Sequence, residues 1–269
     1  MRLEKEGTIK PIEFSEWAAP IAPVLKRNGE VRICGDYKQR VNWASKVDKY
    51  PIPNISDLYS KLSGGQYYSK IDLSHAYQQI PLEENSQKLT TITTQKGLFV
   101  YTRLCYGVAS APGIFQRIME QILQTIPVVA VYLDDILVSG SSYEEARENL
   151  ITVLQRLQDA GLKLKSEKCS FLQKSVTYLG HTLNAEGIRP TCEKISVIQK
   201  APEPSNASEL RSFLGMVNHY HQFLQNASVV FAPLRELLRK DNKWHLGKQQ
   251  QAAFDQANTL LRSPKLPVH

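Results

Sequence analysis

Two apolar runs joined across adjacent carboxylates, IPVVAVYLDDILVSG at residues 126–140, constrain this chain more than any other stretch. Val129, Val131 and Leu133 alternate with Ala130 and Tyr132, and Ile136, Leu137 and Val138 resume the apolar pattern. That periodicity predicts two strands with Asp134 and Asp135 at a hairpin tip. Neighbouring like charges repel, and burying them without a counter-charge is costly, so the pair points to a bound cation. Mg2+ suits it, because it takes hard oxygen ligands and keeps waters that a phosphate can replace. An Asp-Asp pair also suits a plain solvated turn. A second carboxylate in similar context, in GGQYYSKIDLSHAYQQIPL, weighs toward the metal. There Gly64-Gly65 makes a turn, Tyr67, Ser69 and Ile71 alternate with Tyr68 and Lys70, and Asp72 closes the strand before Ser74, a predicted helix cap. One single and one paired strand-end carboxylate site would let two metal ions bind both the attacking and the leaving oxygen of a phosphoryl transfer.

The remainder of the chain is compatible with a folded, nucleic-acid-binding protein. With 269 residues, 42% hydrophobic and 22% charged, it can form one large or two modest cores and is not disordered by composition. Its net charge of +7 suits a polyanionic partner. Cys34, Cys105, Cys169 and Cys192 are scattered without a C-x-x-C pair, and the six histidines show no metal-ligand spacing, so neither a disulfide framework nor a zinc site is indicated. With no signal peptide and no run of eighteen apolar residues, the expected location is intracellular, cytoplasm or nucleus, with no membrane partner.

Along the chain, Ile21–Leu25 and Val31–Cys34 read as a hairpin turning at Asn28-Gly29, with Lys26, Arg27 and Arg32 projecting from its tip; a solvated edge hairpin would carry the same charges. NISDLYSKL is a short helix from Asn54 or Ser56 to Gly64-Gly65, and residues 89–104 form a second hairpin. Ser110 caps a helix with Pro112 in its first turn and Ile114, Phe115, Ile118, Met119, Ile122 and Leu123 on one face. Before it, Tyr106-Gly107 would let a base approach the backbone closely. Ser142 caps another helix, with a stripe of Ala146, Leu150, Val153, Leu154 and Leu157, closed by Gly161. VTYLGHTL reads as a strand followed by turn signals at Asn184 and Gly187, and after Pro190 the chain turns helical, notably ASELRSFLGMVNHYHQFL and VFAPLRELLRK. Tyr77 suits an amphipathic core position.

The segments YSKIDLSHAYQQI, LCYGVASAPGIFQRIM and AVYLDDILVSG resemble three successive blocks of the reverse transcriptases of gypsy-type long-terminal-repeat retrotransposons. VRICGDYKQRVN precedes them and GLKLKSEKCSF, VTYLGHTL and ELRSFLGMVNHYHQF follow, so seven blocks recur in one order from about Glu16 to the C-terminus. Where the family more often has Pro-Phe-Gly, this chain has Cys105-Tyr106-Gly107, keeping an aromatic before glycine.

The resemblance implies an α+β right-hand polymerase with an antiparallel palm sheet backed by helices. Fingers would span 1–47 and 80–110, palm 48–79 and 111–189, and thumb with the start of a connection 190–269. It implies RNA-directed DNA synthesis from dNTPs on a primed RNA or DNA template. Two Mg2+ ions, with Mn2+ an alternative, would sit on Asp72 and Asp134 with Asp135 assisting. Arg32, with Lys26 or Arg27, would meet the triphosphate, and Tyr77 would be the steric gate against a 2′-hydroxyl. Tyr106-Gly107 would lie at the nucleotide, Lys168 near the pyrophosphate, and Tyr178, Leu179, Gly180 and His181 would form the primer grip. In the resembling polyproteins a ribonuclease H domain would begin near LRSPKLPVH, with protease and integrase segments elsewhere, so the chain reads as a polymerase module, a fragment or a truncated copy. Two other readings compete: a catalytically silent nucleic-acid-binding protein derived from such an element, and an unrelated two-metal phosphohydrolase, which the lack of a general-base His or Glu beside the aspartates disfavours.

Overall fold

The computed structural model describes residues 2–25, 29–38, 41–44, 50–193, 196, 200–218, 227–239 and 244–262. Its strands are β1 (Ile9–Ile12), β2 (Ala19–Leu25), β3 (Val31–Gly35), β4 (Tyr67–Asp72), β5 (Ile92–Thr94), β6 (Gly97–Tyr101), β7 (Val129–Tyr132), β8 (Asp135–Gly140), β9 (Ser170–Gln173), β10 (Ser175–Tyr178), β11 (His181–Asn184) and β12 (Gly187–Pro190). Its helices are α1 (Arg2–Lys5), α2 (Val41–Ala44), α3 (Ile55–Lys61), α4 (Glu84–Leu89), α5 (Ala111–Leu123), α6 (Tyr143–Asp159), α7 (Ala207–Asn218), α8 (Ala227–Glu236) and α9 (Lys248–Arg262). No helix among the described residues is long and apolar enough to cross a membrane. The chain divides into a unit of residues 1–62 and 68–172 and a unit of 63–67 and 173–269.

In the first unit, a five-stranded sheet runs in the order β1-β6-β5-β2-β3 and is mixed, because β2 and β5 pair in parallel. That pairing covers only Ala19 and Pro20, so beyond it β2 and β3 continue as a two-stranded ribbon with Ile21, Val24, Leu25 and Val31 exposed. A separate core lies against this sheet, from Ile9, Tyr37, Ile92, Phe99, Tyr101 and Cys105. The expected turn at Asn28-Gly29 falls partly outside the described residues; Gly29 has a φ of 81°.

A second sheet, β7-β8-β4-β9, is backed by α5 and α6. Their shared core joins Ile71, Phe115, Met119, Val131, Ile136, Val138, Val153 and Leu157, the residues whose alternation and helical spacing marked these elements in the sequence. Ser142 caps α6 by accepting from the Glu145 amide at 3.1 Å, and the Glu145 carboxylate accepts from the Ser141 amide at 2.8 Å. Ser142→Ala should therefore cost about 1 kcal/mol, read as a lower midpoint in urea at unchanged slope. The other two caps differ from expectation. Ser110 is in the helical region and makes no side-chain cap bond, since Pro112 already pre-forms the first turn of α5. Ser74 is not a cap either; left-handed His75 (φ 51°) takes the cap position of a 3-10 turn at Ala76–Gln79.

In the second unit, β10, β11 and β12 form an antiparallel meander. VTYLGHTL is thus two strands rather than one, reversing at Leu179 (φ 47°) and Gly180 (φ 80°), the pair of positive angles that a two-residue hairpin requires. Leucine at the first of them conceals the turn. In α7, Leu210, Phe213 and Val217 are buried, and Phe213 stacks on Phe254 of α9 with ring centroids 4.8 Å apart. Polar KQQQ at the start of α9 masked that helix in the sequence.

Candidate active site

Asp72 ends β4 and is nearly buried, with its side chain 12% exposed. Asp134 occupies the β7–β8 turn, because Tyr132 pairs with Asp135 and leaves Leu133 and Asp134 as the two loop residues. Both aspartates line one cavity of about 620 Å3, together with Arg32, His75, Tyr106 and Lys168. The two strand-end carboxylates, far apart in sequence, therefore meet in the first unit.

Asp134 reaches solvent at the cavity rim, yet the concave wall around it strips water from its carboxylate. That desolvation raises its pKa above the ordinary aspartate value, repulsion from Asp135 and Asp72 adds to the rise, and a backbone hydrogen bond and Lys168 oppose it. The neighbouring acids are already neutralised. Lys168 Nζ lies 3.1 Å from Asp72 Oδ2, and Lys70 Nζ lies 3.3 Å from Asp135 Oδ1. Among the described residues Asp134 makes no ion pair, so it is the carboxylate with most to gain from an added cation. Asp135 opens β8, is held by Lys70 and does not line the cavity. Lys70 was not singled out from the sequence, although it shares a strand face with Asp72 two residues on.

No three His, Cys, Asp or Glu side chains among the described residues converge tightly enough to hold an ion unaided. Asp72 and Asp134 offer two hard oxygen donors, and Mg2+, which ordinarily retains water, can complete its shell from solvent or a phosphate. The donor set fits that ion.

In the same cavity lining, the Arg32 guanidinium sits over the Tyr106 ring, 4.4 Å from its centroid. Tyr106 stacks on Tyr77 and Tyr77 on Phe115, each with centroids 5.1 Å apart. Tyr77 thus lies behind Tyr106 rather than in the cavity wall, and burial, then the charge of Asp134, pushes its hydroxyl up to about 12. Gly107 has a φ of 105°, and a Cβ there would stand 2.1 Å from the Gly35 carbonyl oxygen, so the Gly35 backbone makes a close approach there. Tyr178 and His181 are buried at the β10–β11 hairpin with Leu179 and Gly180 as its turn, all in the second unit. Lys26, Arg27, His219 and His221 lie outside the described residues.

Two further polar side chains escaped the sequence reading. Asn42 of α2 fixes the 107–109 loop, donating to the Gly107 carbonyl (3.0 Å) and accepting from the Ala109 amide (2.8 Å). Gln116 lies fully buried on the apolar face of α5, against the turn that carries Asp134. A polar residue inside a helical apolar stripe was the one available signal for it.

The profile described as reverse transcriptase (RNA-dependent DNA polymerase) matches residues 24–183. A retrovirus-related Pol polyprotein from transposon 297 of Drosophila melanogaster is 34% identical over 262 residues, covering 96% of this chain and 25% of that polyprotein. Among solved structures, the foamy viral protease-reverse transcriptase in complex with double-stranded DNA superimposes with a TM-score of 0.86 at 28% identity, covering 98% of this chain and 47% of the other. The foamy viral enzyme in complex with an RNA/DNA hybrid gives a TM-score of 0.79 at 28% identity, with 98% and 36% covered. The chain therefore spans about a quarter to a half of the length of these proteins.

Proposed function

Because this chain belongs to the reverse transcriptase (RNA-dependent DNA polymerase) family and is similar to a transposon Pol polyprotein, we propose that it carries the polymerase active site of a long-terminal-repeat retrotransposon and extends a primer 3′ end with dNTPs on an RNA or DNA template. One observation carries the reading: Asp72 and Asp134, from separate strand ends, share a cavity that Arg32 also lines. The relatives solved with double-stranded DNA and with an RNA/DNA hybrid support duplex as the partner. In this reading the five-stranded sheet belongs to the fingers, the β7-β8-β4-β9 sheet with α5 and α6 to the palm, and the helices after Pro190 to the thumb, with a parent polyprotein supplying ribonuclease H and integrase.

Asp72 and Asp134 would hold the metal, Mg2+ or Mn2+, with Asp135 adding negative potential beside them. Bound there, two such ions would favour the ionised primer 3′-hydroxyl and neutralise the pyrophosphate leaving group. The primer oxygen attacks the α-phosphorus of the dNTP, and the bond to the pyrophosphate oxygen breaks. Arg32 neutralises the triphosphate, since its planar fork matches phosphate oxygens, and Lys26 or Arg27 adds a second cation. Lys168, which pairs with Asp72 here, would meet the pyrophosphate were that carboxylate engaged by metal. Tyr106 and Gly107 border the nucleotide, Tyr77 behind them limits room at the sugar 2′ position, and Tyr178, Leu179, Gly180 and His181 steady the primer end.

Primer extension with dNTPs and Mg2+ on an RNA template tests this. Extension supports the polymerase. Binding of the primed template without extension would favour a silent nucleic-acid-binding protein, and cleavage a phosphohydrolase. Tyr77→Ala should let ribonucleotides in, measured as at least a tenfold rise in the rNTP-to-dNTP incorporation ratio.

A further inference from the structure

We propose that Gln116 is a positioning residue that sets the backbone carrying Asp134, and that Glu120 and Tyr50 hold Gln116 in that role. The inference rests on the polymerase reading for its consequence in activity, though its geometry stands alone. Strand β7 is the edge of its sheet, so among the described residues no strand lies along one side of its backbone. The Gln116 side chain takes that place at the end of the strand. Its Oε1 accepts from the Leu133 amide at 2.7 Å, and its Nε2 donates to the Val131 carbonyl at 2.9 Å. One amide thus pairs with residues two apart, as the peptide groups of a partner strand do.

Leu133 needs this hold. It has a φ of 54° in the turn, a left-handed conformation that a branched, non-glycine side chain rarely adopts, and the next residue is Asp134. Gln116 is itself fixed, because Nε2 also donates to Glu120 Oε1 at 2.8 Å, and Glu120 Oε2 accepts from the Tyr50 hydroxyl. The bond to Glu120 raises the Tyr50 pKa, which keeps that hydroxyl a donor. Only one orientation of the amide satisfies all three contacts, since the carbonyl and the carboxylate both require a donor and the Leu133 amide requires an acceptor. Glutamate has the same shape but, when ionised, turns an oxygen toward two acceptors.

Gln116→Glu and Gln116→Met are the tests, each measured in primer extension and by amide exchange of 15N-labelled protein with and without Mg2+. In both variants we expect exchange at Leu133 to quicken at least tenfold and kcat to fall about 30- to 100-fold, with the KM for dNTP within about threefold of the parent. Relative to the parent at the same pH, Gln116→Glu should regain activity as the pH falls toward 5.5, when a protonated carboxyl at 116 or 120 restores the missing donor; Gln116→Met should not. A merely structural glutamine would give equal, pH-independent losses in the two variants, and that result would overturn the proposal. Unchanged Leu133 exchange would overturn it as well. If the unsubstituted protein proves inactive, the polymerase reading fails, while the exchange measurement still decides whether Gln116 holds the turn.

Discussion

Asp134→Asn is expected to cut primer extension at least about 10³-fold while raising the melting temperature of the metal-free protein. The loss follows from removing one of two oxygen donors in the shared cavity, a change equivalent to about 4 kcal/mol in the barrier. The gain follows from electrostatics. Desolvation and the charges of Asp135 and Asp72 make the Asp134 carboxylate more costly in the folded chain than in the unfolded one, so its folded pKa stands above its unfolded value. The sign is the reverse of the usual aspartate case: the penalty is fully present above the folded pKa and is relieved as pH falls through it toward the unfolded value. Asparagine carries no such penalty at any pH. With solvent screening allowed for at this rim-exposed group, the stabilisation is about 0.5 kcal/mol, roughly 1–2 °C. It should be visible at pH 7 and vanish near pH 3. Mg2+ should raise the melting temperature of the parent but not of the variant, because only the parent presents the unpaired carboxylate. A variant that loses activity and also melts several degrees lower would contradict this account of the turn.

Such opposed effects at one residue explain what the sequence could and could not disclose. Two acidic residues between apolar runs marked a turn, because charges interrupt a buried ribbon, and the β7–β8 hairpin stands where those runs predict it. Asp72 was legible for the same reason. The α5 and α6 cores followed from helical spacing. Interactions that depend on distant neighbours left no such trace. Lys70 looks like a solvated strand lysine until β8 brings Asp135 to it. Gln116 breaks an apolar stripe, but its partner is the edge strand of a sheet, which only the sheet order exposes. The Leu179-Gly180 reversal was hidden because leucine at a positive φ runs against its own propensity. In the same way, Gly107 pointed to a close approach without saying to what.

What approaches Gly107 is Gly35, and Gly107→Ala should lower stability by about 3–4 kcal/mol, the largest loss expected from adding a single methyl group in the first unit. Two terms contribute. At φ 105° a side chain costs about 1–3 kcal/mol in backbone strain, and forcing a methyl into filled space costs a similar amount. Relaxation is blocked on each side. A Cβ at 107 would meet the Gly35 carbonyl oxygen at 2.1 Å. Gly35 cannot retreat toward Tyr37, whose ring stands 2.3 Å from where its own Cβ would be, and the Tyr37 hydroxyl is tied to the Thr90 carbonyl at 2.8 Å. Asn42 clamps the loop from the other side through the Gly107 carbonyl and the Ala109 amide. For a protein of this size the loss corresponds to a fall of roughly 6–15 °C in melting temperature, a large share of a total stability of about 5–15 kcal/mol. Asn42→Ala is the informative comparison. It removes the clamp without a clash and should cost about 1–2 kcal/mol, and in the double variant the loop is free to move away, so the two losses should sum to less than their separate values. Melting of Gly107→Ala within 1 °C of the parent would mean that the β3 backbone yields to the loop. The contact between Gly35 and Gly107 would then not be what holds Tyr106 and Arg32 over the cavity.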